Sequence, residues 1–125
     1  MRSTVIVTGA ARGIGAAISL KLLQQGFVVI GLDRQVEPEC WEITQSLNSD
    51  IYSRWMGISQ DITVEAQTEE VIEKVLAQHN VVGLVNAAGI LEMGSLLDTT
   101  AEQWLHSLNT NFIGPAQLTQ WAAQQ

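Results

Sequence analysis

Four short runs of apolar, largely β-branched residues alternate with helix-like segments along this chain, and that alternation limits the possible folds. The runs are Thr4–Thr8, Phe27–Asp33, Ile51–Ile58 and the stretch that begins at Val81. After the first run comes IGAAISLKLLQQG, where Ile14, Ala17, Ile18, Leu22 and Leu23 recur at helical spacing and Gly26 is placed to end the helix. After the third comes VEAQTEEVIEKVLAQH, with Val64, Val71, Ile72, Val75 and Leu76 marking an amphipathic helix. A long helix is expected from TTAEQWLHSLNTNF. There Thr99 and Glu102 have capping-box spacing, and Trp104, Leu108 and Phe112 stack at i, i+4 and i+8. Glu37–Leu47, interrupted by Pro38, carries only a weak helical pattern. Strands joined through helices run parallel, and right-handed crossovers cover both faces of the sheet. The expectation is an α/β fold: a doubly wound parallel sheet of about four strands and four to five helices, one domain over residues 1–125.

Composition narrows the function classes. Of the 125 residues, 46% are hydrophobic and 15% charged, as in a soluble globular domain, and the formal net charge is −7. That acidity argues against non-specific binding to nucleic acid or to an anionic membrane surface. No secretion signal is visible and no run approaches the ~18 apolar residues of a membrane span, so a cytoplasmic location is expected. Cys40 is the sole cysteine; no internal disulfide can form, and the residue reads as structural. His79 and His106 have no partners at metal-ligand spacing, so no metal is expected. The four tryptophans read as packing residues.

TGAARGIG, Thr8 to Gly15, joins the first strand to the first helix. A helix N-terminus offers unpaired N–H groups and a positive partial charge, a seat for a pyrophosphate. Gly9 suits the tight turn off the strand, Gly13 a close approach of backbone to phosphate, and Gly15 close packing of helix on sheet. No Lys-Ser or Lys-Thr follows the last glycine, which excludes a P-loop. Asp33 ends the second strand, eighteen residues past Gly15. A carboxylate there accepts hydrogen bonds from ribose hydroxyls and repels a 2′-phosphate, favouring NAD over NADP. Arg12 and Arg34 oppose that preference, because either could reach a 2′-phosphate.

With QDIT, NAAG and NFIG following in order, the chain resembles the short-chain dehydrogenase/reductase family over essentially its whole length. TGAARGIG is similar to that family's TGxxxGxG cofactor loop, which brings Thr8, Gly9, Arg12, Gly13, Ile14 and Gly15 into the candidate cofactor site. QDIT puts Asp61 and Ile62 where the family has an aspartate near the adenine. NAAG, Asn86–Ala87–Ala88–Gly89, is similar to the NNAG motif, with alanine in place of the second asparagine or an equivalent shift of it. NFIG puts Asn111 on the catalytic asparagine. VNAAGILEMGSLLDTTAEQW and GLDR are similar to 2,3-dihydro-2,3-dihydroxybenzoate dehydrogenases, NAD-dependent enzymes of catechol siderophore biosynthesis. The resemblance implies a Rossmann-type fold, NAD as cofactor, and reversible hydride transfer between nicotinamide and a hydroxyl-bearing carbon of a small molecule. It also implies a homo-oligomer joined through the long helix and the one after it.

The residues give their own reasons for part of this. Small side chains at Ala87, Ala88 and Gly89 let a flat ligand lie against backbone at the end of the fourth strand. Pro115 has no N–H to give the carbonyl of Asn111, so a kink with a free Asn111 carbonyl is expected. The family's Tyr-x-x-x-Lys centre has no counterpart: four residues after Tyr52, the one tyrosine, stands Met56. The chain therefore reads as an incomplete sheet, the N-terminal portion of a dehydrogenase, inactive alone. The alternative is a non-catalytic nucleotide-binding module or partner subunit. In either case Val81–Val85 is expected at an open sheet edge.

Overall fold

The computed structural model describes residues 2–124. Four parallel strands form one sheet: β1 (Ser3–Thr8), β2 (Val28–Asp33), β3 (Trp55–Ser59) and β4 (Asn80–Asn86), in the spatial order β3-β2-β1-β4. From β1 the chain winds out through β2 to β3, then returns across the sheet to place β4 on the other side of β1. The turn after β1 and the segment after β4 therefore leave the sheet side by side, where doubly wound sheets open a crevice.

Period-two alternation in β1 divides the core between the two faces. Val5 and Val7 join Ala16, Leu23, Val29 and Trp41 on one face. Ile6 joins Ile30, Leu32, Ile72, Val75 and Leu118 on the other. Ile6 and Val7 are wholly enclosed, and each side chain so buried contributes roughly 1.5–3 kcal/mol. The first face is covered by α1 (Gly13–Gln24). Between β2 and β3 lie two 3-10 turns, Pro38–Cys40 and Glu42–Ser46, and the single-turn helix α2 (Ser49–Tyr52). The second face is covered by α3 (Glu65–Gln78) and α5 (Gly114–Ala122). Before α5, α4 (Ala101–Leu108) runs into a π-helical turn, Asn109–Ile113. Among the described residues, no helix is long and apolar enough to cross a membrane.

Several sequence expectations are corrected. The buried stripe of α1 is Gly15, Ala16, Ser19 and Leu23, whereas Ile14 and Ala17 are exposed. The helix lies so close to the sheet that only small residues fit beneath its first turns. The third strand begins at Trp55 rather than Ile51, because the Asn48 side chain accepts from the N–H groups of Asp50 and Ile51 and caps α2. Tyr52 is thus an exposed helical residue. The capping box of α4 pairs Thr100 with Gln103, one residue later than expected, since the Thr99 hydroxyl donates to the Ser95 carbonyl at 2.8 Å. Cys40 is exposed rather than packed. Trp41 is buried and meets Trp55 edge to face, with centroids 6.3 Å apart. Trp104 instead remains half exposed, because α4 lies beyond the sheet.

Among the described residues β4 pairs only with β1 and so forms an edge. Val82 stands out from it beside a register shift, 56% exposed. Open, apolar edges template pairing with another chain, and an edge lysine suppresses it. The chain is expected to self-associate in sedimentation velocity, and Val82→Lys to shift the distribution toward monomer. A monomeric unaltered chain at high concentration would contradict this.

Candidate functional site

The glycine turn after β1 and the NAAG segment after β4 are one packed unit. Gly9 adopts φ +65, and a Cβ there would lie 2.7 Å from the Ala88 nitrogen and 2.8 Å from the Ala87 oxygen. Only glycine satisfies both the left-handed backbone and the close approach. A Cβ on Gly15 would overlap the Gly9 carbonyl, which is why α1 can sit tight against the end of β1. Beneath this contact the buried Thr8 hydroxyl accepts from the N–H groups of Ala87 and Ala88, both at 3.1 Å, and lies 3.5 Å from the Val85 carbonyl.

Above the unit opens a cleft of about 470 Å³, within the range of small-molecule sites. Its floor is the glycine turn: Gly9, Arg12, Gly13, Ile14 and Gly15. Asp33 and Arg34 line it at the end of β2, Ile62 before α3, and Ala87, Ala88 and Gly89 after β4. Asp33 is fixed by two backbone donors, Ala11 N–H to Oδ2 and Gln35 N–H to Oδ1, each at 3.0 Å. Each oxygen keeps capacity for a further hydrogen bond. The Arg12 side chain makes no cap on α1, and the Gly13 N–H donates instead to Glu42 Oε2 at 3.2 Å.

Four expected site residues lie outside the lining. Thr8 is under the cleft, holding its two halves together. Asp61 spends Oδ1 on the Thr63 N–H at 2.9 Å and the Thr63 hydroxyl at 2.7 Å, shaping the entry to α3. Asn86 donates from Nδ2 to the Thr119 hydroxyl at 3.2 Å and so faces α5. Asn111 occupies the π-helical turn, where the Gly114 N–H reaches back to Asn109. Its amide clasps Ile90: the Ile90 N–H donates to Oδ1 at 2.8 Å and Nδ2 donates to the Ile90 carbonyl at 3.0 Å. Conversely, Gln35, Gln60, Ile90, Leu91 and Thr110 line the cleft and were not singled out from sequence. Gln60 lies within QDIT, Gln35, Ile90 and Thr110 each adjoin a residue singled out above, and Leu91 follows Ile90.

Thr8→Val preserves shape and burial but leaves the Ala87 and Ala88 N–H groups without their acceptor. It is expected to lower stability by about 1–3 kcal/mol in urea unfolding. An unchanged midpoint would show that the hydroxyl is dispensable.

Comparison with known proteins agrees with this geometry. Residues 3–125 match the model of a family described as short chain dehydrogenase. A farnesol dehydrogenase of Aedes aegypti is 37% identical over 121 residues, covering 95% of this chain and 49% of that protein. The 2,3-dihydro-2,3-dihydroxybenzoate dehydrogenase of Escherichia coli is 31% identical over 122 residues, covering 97% of this chain and 44% of its own length. Among solved structures, ElxO with NADP bound superposes with a TM-score of 0.86 at 30% identity, covering 99% of this chain and 50% of that one. The chain spans about half the length of the curated relatives it matches. With its glycine turn and NAAG segment packed around one cleft and residues 3–125 matching the family model, the chain belongs to the short-chain dehydrogenase family.

Proposed function

We propose that this chain forms the cofactor-holding part of an NAD-dependent oxidoreductase acting on a hydroxyl-bearing carbon. The observation that carries the proposal is the Asp33 carboxylate, fixed by two backbone donors at the wall of a cleft floored by glycines. The residues fit a dinucleotide. Added Cβ atoms at Gly9 and Gly15 would collide with neighbouring backbone, so bare main chain borders the cleft where a pyrophosphate needs to come close. Ile14 and Gly15 would hold the diphosphate, with open space left for it beside Gly13, Asp33 the adenosine ribose, and Ala87–Gly89 the flat wall beyond it. When bound, the nicotinamide ring would accept or release the hydride. Asn111 acts on this chain's own backbone: by clasping Ile90 it holds the loop that borders the cleft.

Likeness to dehydrogenases of hydroxylated molecules supports this substrate class. Farnesol and a dihydrodiol both present a carbon-bound hydroxyl, and likeness to the Escherichia coli enzyme supports a dihydrodiol carboxylate of siderophore biosynthesis as the narrower reading. For the 125 residues alone, we propose binding without turnover. Tyr52 lies exposed on α2 and is followed at the fourth position by Met56, so no tyrosine–lysine pair exists to move the hydroxyl proton. The exposed side chains of Trp104, Leu108 and Phe112 support assembly of a homo-oligomer over α4.

Calorimetric titration should show NAD binding more tightly than NADP, and Asp33→Ala should narrow the gap. Tighter binding of NADP to the unaltered chain would overturn the NAD assignment. Incubation with NAD and an alcohol or dihydrodiol should yield no NADH above background, since general acid–base groups contribute ~10²–10⁴-fold to such rates. Steady NADH production by the pure chain would refute the reading of binding without turnover.

A further inference from the structure

A second carboxylate sits on the glycine turn, from a segment outside the family motifs. The Glu42 N–H donates to the Ala11 carbonyl at 2.9 Å, docking the 3-10 turn Glu42–Ser46 on the loop that follows β1. Its neighbours Trp41 and Ile43 are 3% and 2% exposed, so the backbone of Glu42 is anchored on both sides while its side chain lies at the surface. Its Oε2 accepts from the Gly13 N–H at 3.2 Å. Asp33 Oδ2 meanwhile accepts from the Ala11 N–H at 3.0 Å. Two carboxylates therefore bracket Arg12, on amides two residues apart, at the mouth of the cleft that Arg12, Gly13 and Asp33 line.

We propose that Glu42 is a specificity-determining residue that excludes a 2′-phosphate from the adenosine end of the cleft. The inference rests on the nucleotide-binding reading above. Arg12 and Arg34 are the cations of the cleft wall and would by themselves attract a further phosphate. Asp33 and Glu42, whose carboxylates sit on the amides of Ala11 and Gly13 to either side of Arg12, place negative charge beside them. A ribose with a free 2′-hydroxyl brings no such charge and is little affected. Because the Glu42 carboxylate is solvent-exposed, the repulsion is modest and screened by salt. Its removal should improve NADP binding roughly three- to tenfold at low ionic strength.

The test titrates the 125-residue chain, Glu42→Gln and Glu42→Ala with NAD and with NADP, at low and at high salt. Glu42→Gln keeps the length and an acceptor oxygen and removes only the charge. NADP should bind several-fold more tightly to both variants, NAD affinity should stay within about twofold, and the gain should shrink at high salt. Equal shifts for both nucleotides, or an unchanged NADP affinity, would overturn the proposal while leaving the nucleotide site intact. A Glu42→Gln chain that loses its circular-dichroism melting transition would also overturn it, by making Glu42 a structural cap. Binding of neither nucleotide to the unaltered chain would remove the nucleotide reading and this inference together.

Discussion

The Thr8 hydroxyl, bound to backbone on the far side of the chain, is the interaction on which the rest of the site depends. It accepts from two successive, partly buried N–H groups, of Ala87 and Ala88, that would otherwise lack a protein partner where β4 ends. The same contact presses Gly9 against Ala87 and Ala88, leaving no room for a side chain. From that point α1 can start only if Gly15 is also bare, because its Cβ would meet the Gly9 carbonyl. One hydroxyl and two glycines thus set the spacing between the floor and the wall of the cleft. Asp33 then locks the outer side by holding Ala11.

Much of the fold was legible because its signals are local. β1 and β2 are continuous apolar runs, buried on both faces, and the period of α3 survives in Ile72 and Val75. What failed was inference about which face a residue takes when close packing, rather than hydrophobicity, decides. In α1 the sheet-facing residues are Gly15, Ala16 and Ser19, and the conspicuous Ile14 is left at the mouth of the cleft, 76% exposed. The four tryptophans looked alike in sequence, yet Trp41 is buried and Trp104 half exposed, since only tertiary coverage separates them. The site shows the same division. Glycines with steric roles were readable from spacing. Asp61 and Asn86 sit within motifs, yet they hydrogen-bond to Thr63 and Thr119 and are not among the lining residues of the cleft, partners that no one-dimensional pattern encodes.

Asn111 illustrates a partial reading. Proline at 115 removes a backbone donor, and a kink was the expected result. The chain answers with a wider π-helical turn, keeping α4 and α5 on one continuous path while swinging Asn111 toward Ile90. π-helical turns within α-helices recur at functional positions. Here the turn also brings Thr110 to the cleft lining.

The bonds from Thr8 to Ala87 and Ala88 span 79 and 80 residues of chain. Closing so long a loop carries an entropic cost that local helix formation does not meet, and contacts of such sequence separation slow folding. The floor and the wall of the cleft therefore exist together only once β4 has docked on β1. Partly folded forms that hold β1, α1 and β2 present a glycine turn without its opposing wall. A ligand that needs both halves recognises the completed sheet alone, so its binding free energy is added in full to the stability of that sheet. Occupancy of the cleft in this way becomes a readout of whether the last strand has found its place.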